Sequence, residues 1–234
     1  MDMWSWLSPP PSPPQSFYRD FSFANAPLSQ CSAPLSAGVA YVVVVLLLER
    51  YMRVKRGGRG IETKWLQAVH NLILCTGSFV MFAGASYETF LRIGREASAT
   101  SHPLGGVHWF FCESVSTRPE GPLFFWSYIY YLSKYYELLD TVLQLLKGRP
   151  PPHFFLHVYH HSVVIFMSWG WLAYVQTLQF AGLLFNTAVH VVMYYYCART
   201  ARARRAEPCG PDPRLCCPQI FGECSRCLCR GRVW

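Results

Sequence analysis

Residues 150–198 read PPPHFFLHVYHHSVVIFMSWGWLAYVQTLQFAGLLFNTAVHVVMYYYCA, without one Asp, Glu, Lys or Arg. A bilayer core takes about 20 apolar residues per helix, so this run is long enough to cross twice. It opens on His157-Val-Tyr-His160-His161. Imidazoles at i, i+3 and i+4 share one face of a helix. Polar groups gathered at the edge of lipid are expensive, so chemistry is the first hypothesis they raise.

The rest of the chain extends the pattern. It is 52% hydrophobic, 16% aromatic and 15% charged, against roughly 25% charged in a soluble domain. The composition indicates an all-α integral membrane protein, a multi-helix transmembrane bundle. Five spans are expected, at about 28–48, 65–87, 123–146, 154–175 and 178–197. Gln176, Thr177 and Gln179 mark the turn between the last two. Residues 1–27 form a Pro-rich leader, nearly all proline over Pro9–Pro14 and expected to be disordered. No Lys or Arg precedes Arg19, so it does not read as a signal peptide. The membrane domain is 28–198, and 199–234 is a basic, Cys-rich tail.

Charge sets the expected orientation. The net +8 comes from a few basic segments. Arg50, Arg53, Lys55, Arg56, Arg59 and Lys64 lie between the first two spans. Lys147 and Arg149 lie between the third and fourth, and Arg199, Arg202, Arg204 and Arg205 follow the fifth. With five spans all three segments fall on one side, which the positive-inside rule makes cytoplasmic. The N-terminus is then lumenal and the C-terminus cytoplasmic in a multi-pass protein. Clustered charge of this kind meets headgroups or phosphates, and no basic–aromatic surface points to nucleic acid. Six of the ten cysteines sit in the last 26 residues. Cys31 and Cys112 fall on the same predicted side, but spacing alone does not pair them.

Three helices then bring polar residues to one depth. The third span carries Lys134, Glu137, Asp140 and Thr141 in its second half. The fourth carries His157, His160 and His161 in its first two turns. The fifth carries Asn186, His190 and Tyr194 from its middle to its inner end. Lys134, Glu137 and Thr141 form one helical stripe; Asn186, His190 and Tyr194 form another. A charge at mid-bilayer costs on the order of 2.5–3.5 kcal/mol, so these stripes should face inward and toward one another. Each set has a structural alternative: an ion-pair knot, histidines reaching headgroups, an Asn186–His190 interhelical hydrogen bond. His70 and Asn71 read as packing residues.

Three chemistries fit such a cluster. Histidine boxes ligate iron in membrane oxidases and desaturases, but only one box occurs, and His102 and His108 lie on the wrong side. Metal-free acyl transfer would use imidazole as base or nucleophile, with Glu, Asp and Lys tuning it. A channel would need a ring-like filter, which nothing in the chain supplies.

At these residues the chain resembles the fatty acid elongases that condense acyl-CoA with malonyl-CoA. Lys134-Tyr-Tyr-Glu137-Leu-Leu-Asp140-Thr141 is similar to their KxxExxDT block. His157-Val-Tyr-His160-His161 is similar to HxxHH, and Asn186 through Tyr196 to NxxxHxxMYxYY, with Cys197 in place of the last tyrosine. Phe111-Cys112 and Gly121 to Trp126 resemble the family's approach to the third span. One box is a weak signal; three in order at the right spacing are strong. The resemblance covers about 28–198.

It implies an endoplasmic reticulum membrane enzyme, an acyltransferase of the very-long-chain 3-oxoacyl-CoA synthase type. Its fold would be a helical barrel around an acyl tunnel, with seven helices against about five here. The implied reaction converts acyl-CoA and malonyl-CoA to 3-oxoacyl-CoA, CoA and carbon dioxide, with no metal or redox cofactor. Carried over, His160 takes the acyl group, and His157, His161 and His190 position substrates and stabilise developing charge. Lys134, Glu137, Asp140, Thr141, Asn186 and Tyr194 support them, and Lys64, Lys147 and Arg149 meet the CoA phosphates. The implied partners are the lipid bilayer, acyl-CoA, malonyl-CoA, other elongation-cycle enzymes and a homo-oligomer. After Tyr196 the chain departs from the family pattern, with no apolar run of span length and no C-terminal lysine retention signal. A composition of that kind fits an altered reading frame, and an inactive truncated elongase with a structural role is the alternative.

Overall fold

The computed structural model describes residues 17–99, 101 and 103–203, with the backbone alone at 64 and 197–203. Residues 1–16, most of the tail and the Lys64 side chain lie outside the described residues. The expectations for the proline run, for the side chains of Arg199 and Arg202, for Arg204 and Arg205 and for His102 fall there too. Among the described residues the regular structure is helical: α1 (Ser32–Val54), α2 (Lys64–Ala99), the short α3 (His108–Phe111), α4 (Pro122–Leu146), α5 (Phe154–Ala173) and α6 (Gln179–Ala203).

Hydrocarbon offers no partner for a backbone N–H, so even the β-branched run Val42–Val45 is helical. On α1 Tyr41, Val45 and Met52 are buried, while Val39, Val43, Val44 and Leu47 are exposed. Helices α1 and α2 are long and apolar enough to cross a membrane, with mean hydropathy 1.8 and 1.5 over their best windows. Three charges in α4 and three histidines in α5 lower the hydropathy of those helices. Helix α2 is longer than the expected 65–87. Its last turns carry Glu88, Arg92, Arg95 and Glu96, and Arg92 meets Glu113 at 2.6 Å beyond the apolar segment.

Helix α4 is the hub. Gly121, at φ 87°, lets the chain turn into Pro122, whose missing N–H costs nothing in a first turn. The helix then packs on α1, α2 and α5, and α6 lies chiefly along α2. Gln179 is not a turn residue as expected: it opens α6, is 1% exposed and accepts from the Ser127 hydroxyl at 3.2 Å.

The two ends of the bundle are closed differently. At one end residues 17–31 fold back beneath α4 and α5, so the disorder expected for the leader does not extend to 17–27. Phe21 and Phe23 are buried with Trp109, Phe124 and Tyr128. Gly121 N donates to the Phe21 carbonyl at 2.7 Å, and Trp169 Nε1 to the Ser29 carbonyl at 2.7 Å. Tyr18 donates to Glu88 at 2.5 Å; burial, then that carboxylate, holds its hydroxyl above the ordinary phenol range. Cys31 and Cys112 are exposed free thiols at this end.

At the other end the basic α1–α2 loop sits on the α4–α5 turn. Ile61 N donates to the Leu146 carbonyl at 2.7 Å. The backbones cross so closely that a Cβ on Gly60 would lie 2.0 Å from the Lys147 carbonyl oxygen.

Candidate functional site

Lys134, Glu137 and Thr141 are buried along one stripe of α4, at 3%, 6% and 0% exposure. Lys134 Nζ donates to Glu137 Oε1 at 2.7 Å and to Asn186 Oδ1 of α6 at 2.9 Å. It also stands 4.2 Å from the centre of the Tyr130 ring. An ammonium in this setting is tolerated because a carboxylate, an amide oxygen and a π-face replace its hydration. Glu137 Oε1 in turn accepts from Ser133 at 3.3 Å and lies 3.8 Å from His190 Nδ1.

One turn further along, Asp140 joins two other helices. His70 Nε2 of α2 meets its Oδ1 at 3.0 Å, and the Tyr194 hydroxyl of α6 donates to its Oδ2 at 2.8 Å. Thr141 completes the set, with His157 Nε2 of α5 at 3.0 Å and the Tyr41 hydroxyl of α1 at 2.7 Å. Five helices thus meet through side chains of Lys134, Glu137, Asp140 and Thr141.

The histidines of α5 divide. His157 and His161 are buried, their ring centres 4.5 Å apart, and Tyr41 lies 6.4 Å from His161. His161 Nε2 is buried without a protein hydrogen-bond partner among the described residues. His160 is exposed, its ring edge-on to His161 at 5.5 Å. His190 of α6 comes within 3.8 Å of Glu137, so both histidine-bearing helices border the α4 stripe.

The residues expected from the sequence are thereby brought together: His157, His160, His161, His190, Lys134, Glu137, Asp140, Thr141, Asn186 and Tyr194. Sequence reasoning missed Tyr41 as a member and read His70 as packing. Their signals were faint: a lone hydroxyl in an aliphatic run, and an imidazole whose partner lies 70 residues on. Lys147 and Arg149 lie on the α4–α5 turn at the basic end, Lys147 half-buried and Arg149 exposed. Among the described residues no three His, Cys, Asp or Glu side chains are arranged to hold one metal ion. A cavity of about 410 Å³ at the far end, between Glu113–Pro119 and Ala173–Val175, includes none of the polar cluster.

A family model, the GNS1/SUR4 (ELO) family, matches residues 26–212. "Fatty acid elongase sre1" of Dictyostelium discoideum is 36% identical over 176 residues, covering 74% of this chain and 60% of its own. "Fatty acid elongase 2" of Trypanosoma brucei brucei is 36% identical over 141 residues, 58% of this chain and 51% of that one. "Fatty acid elongase 3-like" of Arabidopsis thaliana is 31% identical over 145 residues, 61% and 50%. The chain spans 57%, 60% and 62% of three Dictyostelium relatives. No solved structure matches.

Proposed function

The chain belongs to the ELO (GNS1/SUR4) family, and we propose that its polar cluster is a condensing site for fatty acid elongation. The observation that carries this reading is the convergence of Lys134, Glu137, Asp140 and Thr141 with His157, His70 and Tyr194 from separate helices. The reaction joins acyl-CoA and malonyl-CoA, releasing carbon dioxide and CoA. It needs a nucleophile to hold the acyl group, donors for developing oxyanions and a place where malonyl loses its carboxylate.

Imidazole supplies the first. In this proposal His160, the exposed member of the box, attacks the thioester carbonyl through one ring nitrogen; the C–S bond breaks, and the proton on the other ring nitrogen passes to the departing CoA thiolate, leaving a neutral acyl-imidazole. Malonyl-CoA then loses carbon dioxide, and the electron pair left on its α-carbon attacks the acyl-imidazole. The new C–C bond forms as the C–N bond breaks, and the departing imidazole regains its proton from water. His157, held by Thr141, and His161, with an open nitrogen, sit beside that nucleophile as hydrogen-bond groups for the carbonyl oxygens. Lys134 holds Glu137 beside His190, 3.8 Å from its Nδ1, where the carboxylate favours positive charge on that imidazole. No metal or redox cofactor enters these steps. Lys64, Lys147 and Arg149 are proposed to meet CoA phosphates at the basic end.

The same reading makes the protein multi-pass in the endoplasmic reticulum membrane, with its basic end cytoplasmic and its N-terminus lumenal. Other elongation-cycle enzymes would receive its product, and a homo-oligomer is the proposed assembly. Expression in microsomes with malonyl-CoA and a panel of acyl-CoAs tests the function. The expected product is 3-oxoacyl-CoA, absent when His160 is replaced by Ala. Product that forms only with added iron and oxygen would support an oxidase instead.

A further inference from the structure

We propose that His70 is a positioning residue of this site, acting on His190 through Asp140 and Tyr194. The inference rests on the condensing reading above and adds a helix, α2, to its machinery. His70 is 2% exposed and its ring packs against Tyr136 at 4.8 Å. Its Nε2 meets Asp140 Oδ1 at 3.0 Å. With Asp140 ionised, Nε2 carries the hydrogen, because a carboxylate can only accept. Nδ1 is then a bare nitrogen, buried without a protein partner among the described residues. A packing residue in an apolar core would not need that cost.

The other oxygen of Asp140 accepts from the Tyr194 hydroxyl at 2.8 Å. The Tyr194 ring stands edge-on to His190, 5.6 Å between centres and 86° between planes. Asp140 is held from both sides, so its position, and with it the ring of Tyr194, depends on the His70 donor. His190 also lies near Glu137, at 3.8 Å, so its place is set by two carboxylates, one directly and one through Tyr194. Asp140 thus takes one hydrogen bond from α2, through His70, and one from α6, through Tyr194.

Two readouts on the whole chain in nanodiscs test the chain of contacts. The first is NMR with isotope-labelled histidine. The His70 ring should show the Nε2–H tautomer and shift in Asp140→Asn. The His190 ring should shift in His70→Ala and return in His70→Gln, whose amide reaches with the same donor. Unchanged His190 resonances in His70→Ala would overturn the proposal. The second is steady-state condensation. His70→Ala should lower kcat about tenfold at unchanged KM, as loss of a hydrogen bond to a charged group would, and His70→Gln should recover most of it. Equal losses in both variants, or a loss in KM alone, would also overturn it. A wild-type chain without turnover would refute the condensing reading, and the NMR shifts would still decide whether His70 positions His190.

Discussion

Lys134 and Glu137 sit in the bundle interior at 3% and 6% exposure. Breaking such a pair leaves one charge uncompensated, at about 3–5 kcal/mol. Lys134→Met should therefore lower thermal stability in detergent by an amount of that order. The double variant Lys134→Met, Glu137→Leu should recover much of the fold and none of the activity. Tyr41→Phe is a milder probe. It deletes the hydroxyl that meets Thr141 and should cost about 1 kcal/mol, read as a severalfold fall in kcat with KM unchanged. The two stripes were legible because i, i+3, i+4 and i+7 spacing is a property of one helix. Tyr41 and His70 were not, because their partners lie 100 and 70 residues away. The exposure of His160 has a simple cause. Successive residues turn about 100° around a helix, so His160 and His161 lie to either side of His157, and His160 falls on the exposed side.

At the level of elements, helix existence followed from apolar length, and ends were set by details that periodicity does not carry. Helix α2 runs to Ala99 because its charged last turns find partners in Glu113 and Glu96. Residues 17–27 are ordered because Phe21 and Phe23 find an aromatic pocket contributed by α3 and α4. The α1–α2 loop is locked by its backbone crossing at Gly60. Gly60→Ala should cost about 1–3 kcal/mol as overpacking does, seen as a lower unfolding temperature. His153 caps α5 at φ 53°, a left-handed conformation that glycine adopts freely. His153→Gly should raise that temperature slightly and leave condensation intact.

For the whole molecule, the exposed surface is itself a statement about solvent. Leu47, Leu72, Phe79, Phe155, Phe166 and Phe185 are all exposed large apolar residues along the helices. A soluble monomer rarely presents so much. The basic loops lie at one end of the bundle and Cys31 and Cys112 at the other, so the two ends should differ in accessibility. In sealed microsomes a membrane-impermeant maleimide, read by peptide mass spectrometry, should spare Cys31 and Cys112 until the membrane is opened. Labelling of both before opening would reverse the proposed orientation.

The central claim is that the converged cluster performs decarboxylative condensation, and malonyl-CoA labelled in its free carboxylate tests it most directly. Wild-type chain should release labelled carbon dioxide only when acyl-CoA is present, and Glu137→Gln and His161→Ala should reduce that release by about two orders of magnitude, as loss of transition-state groups does. Release by both variants at the wild-type rate, or none from the wild type, would contradict it.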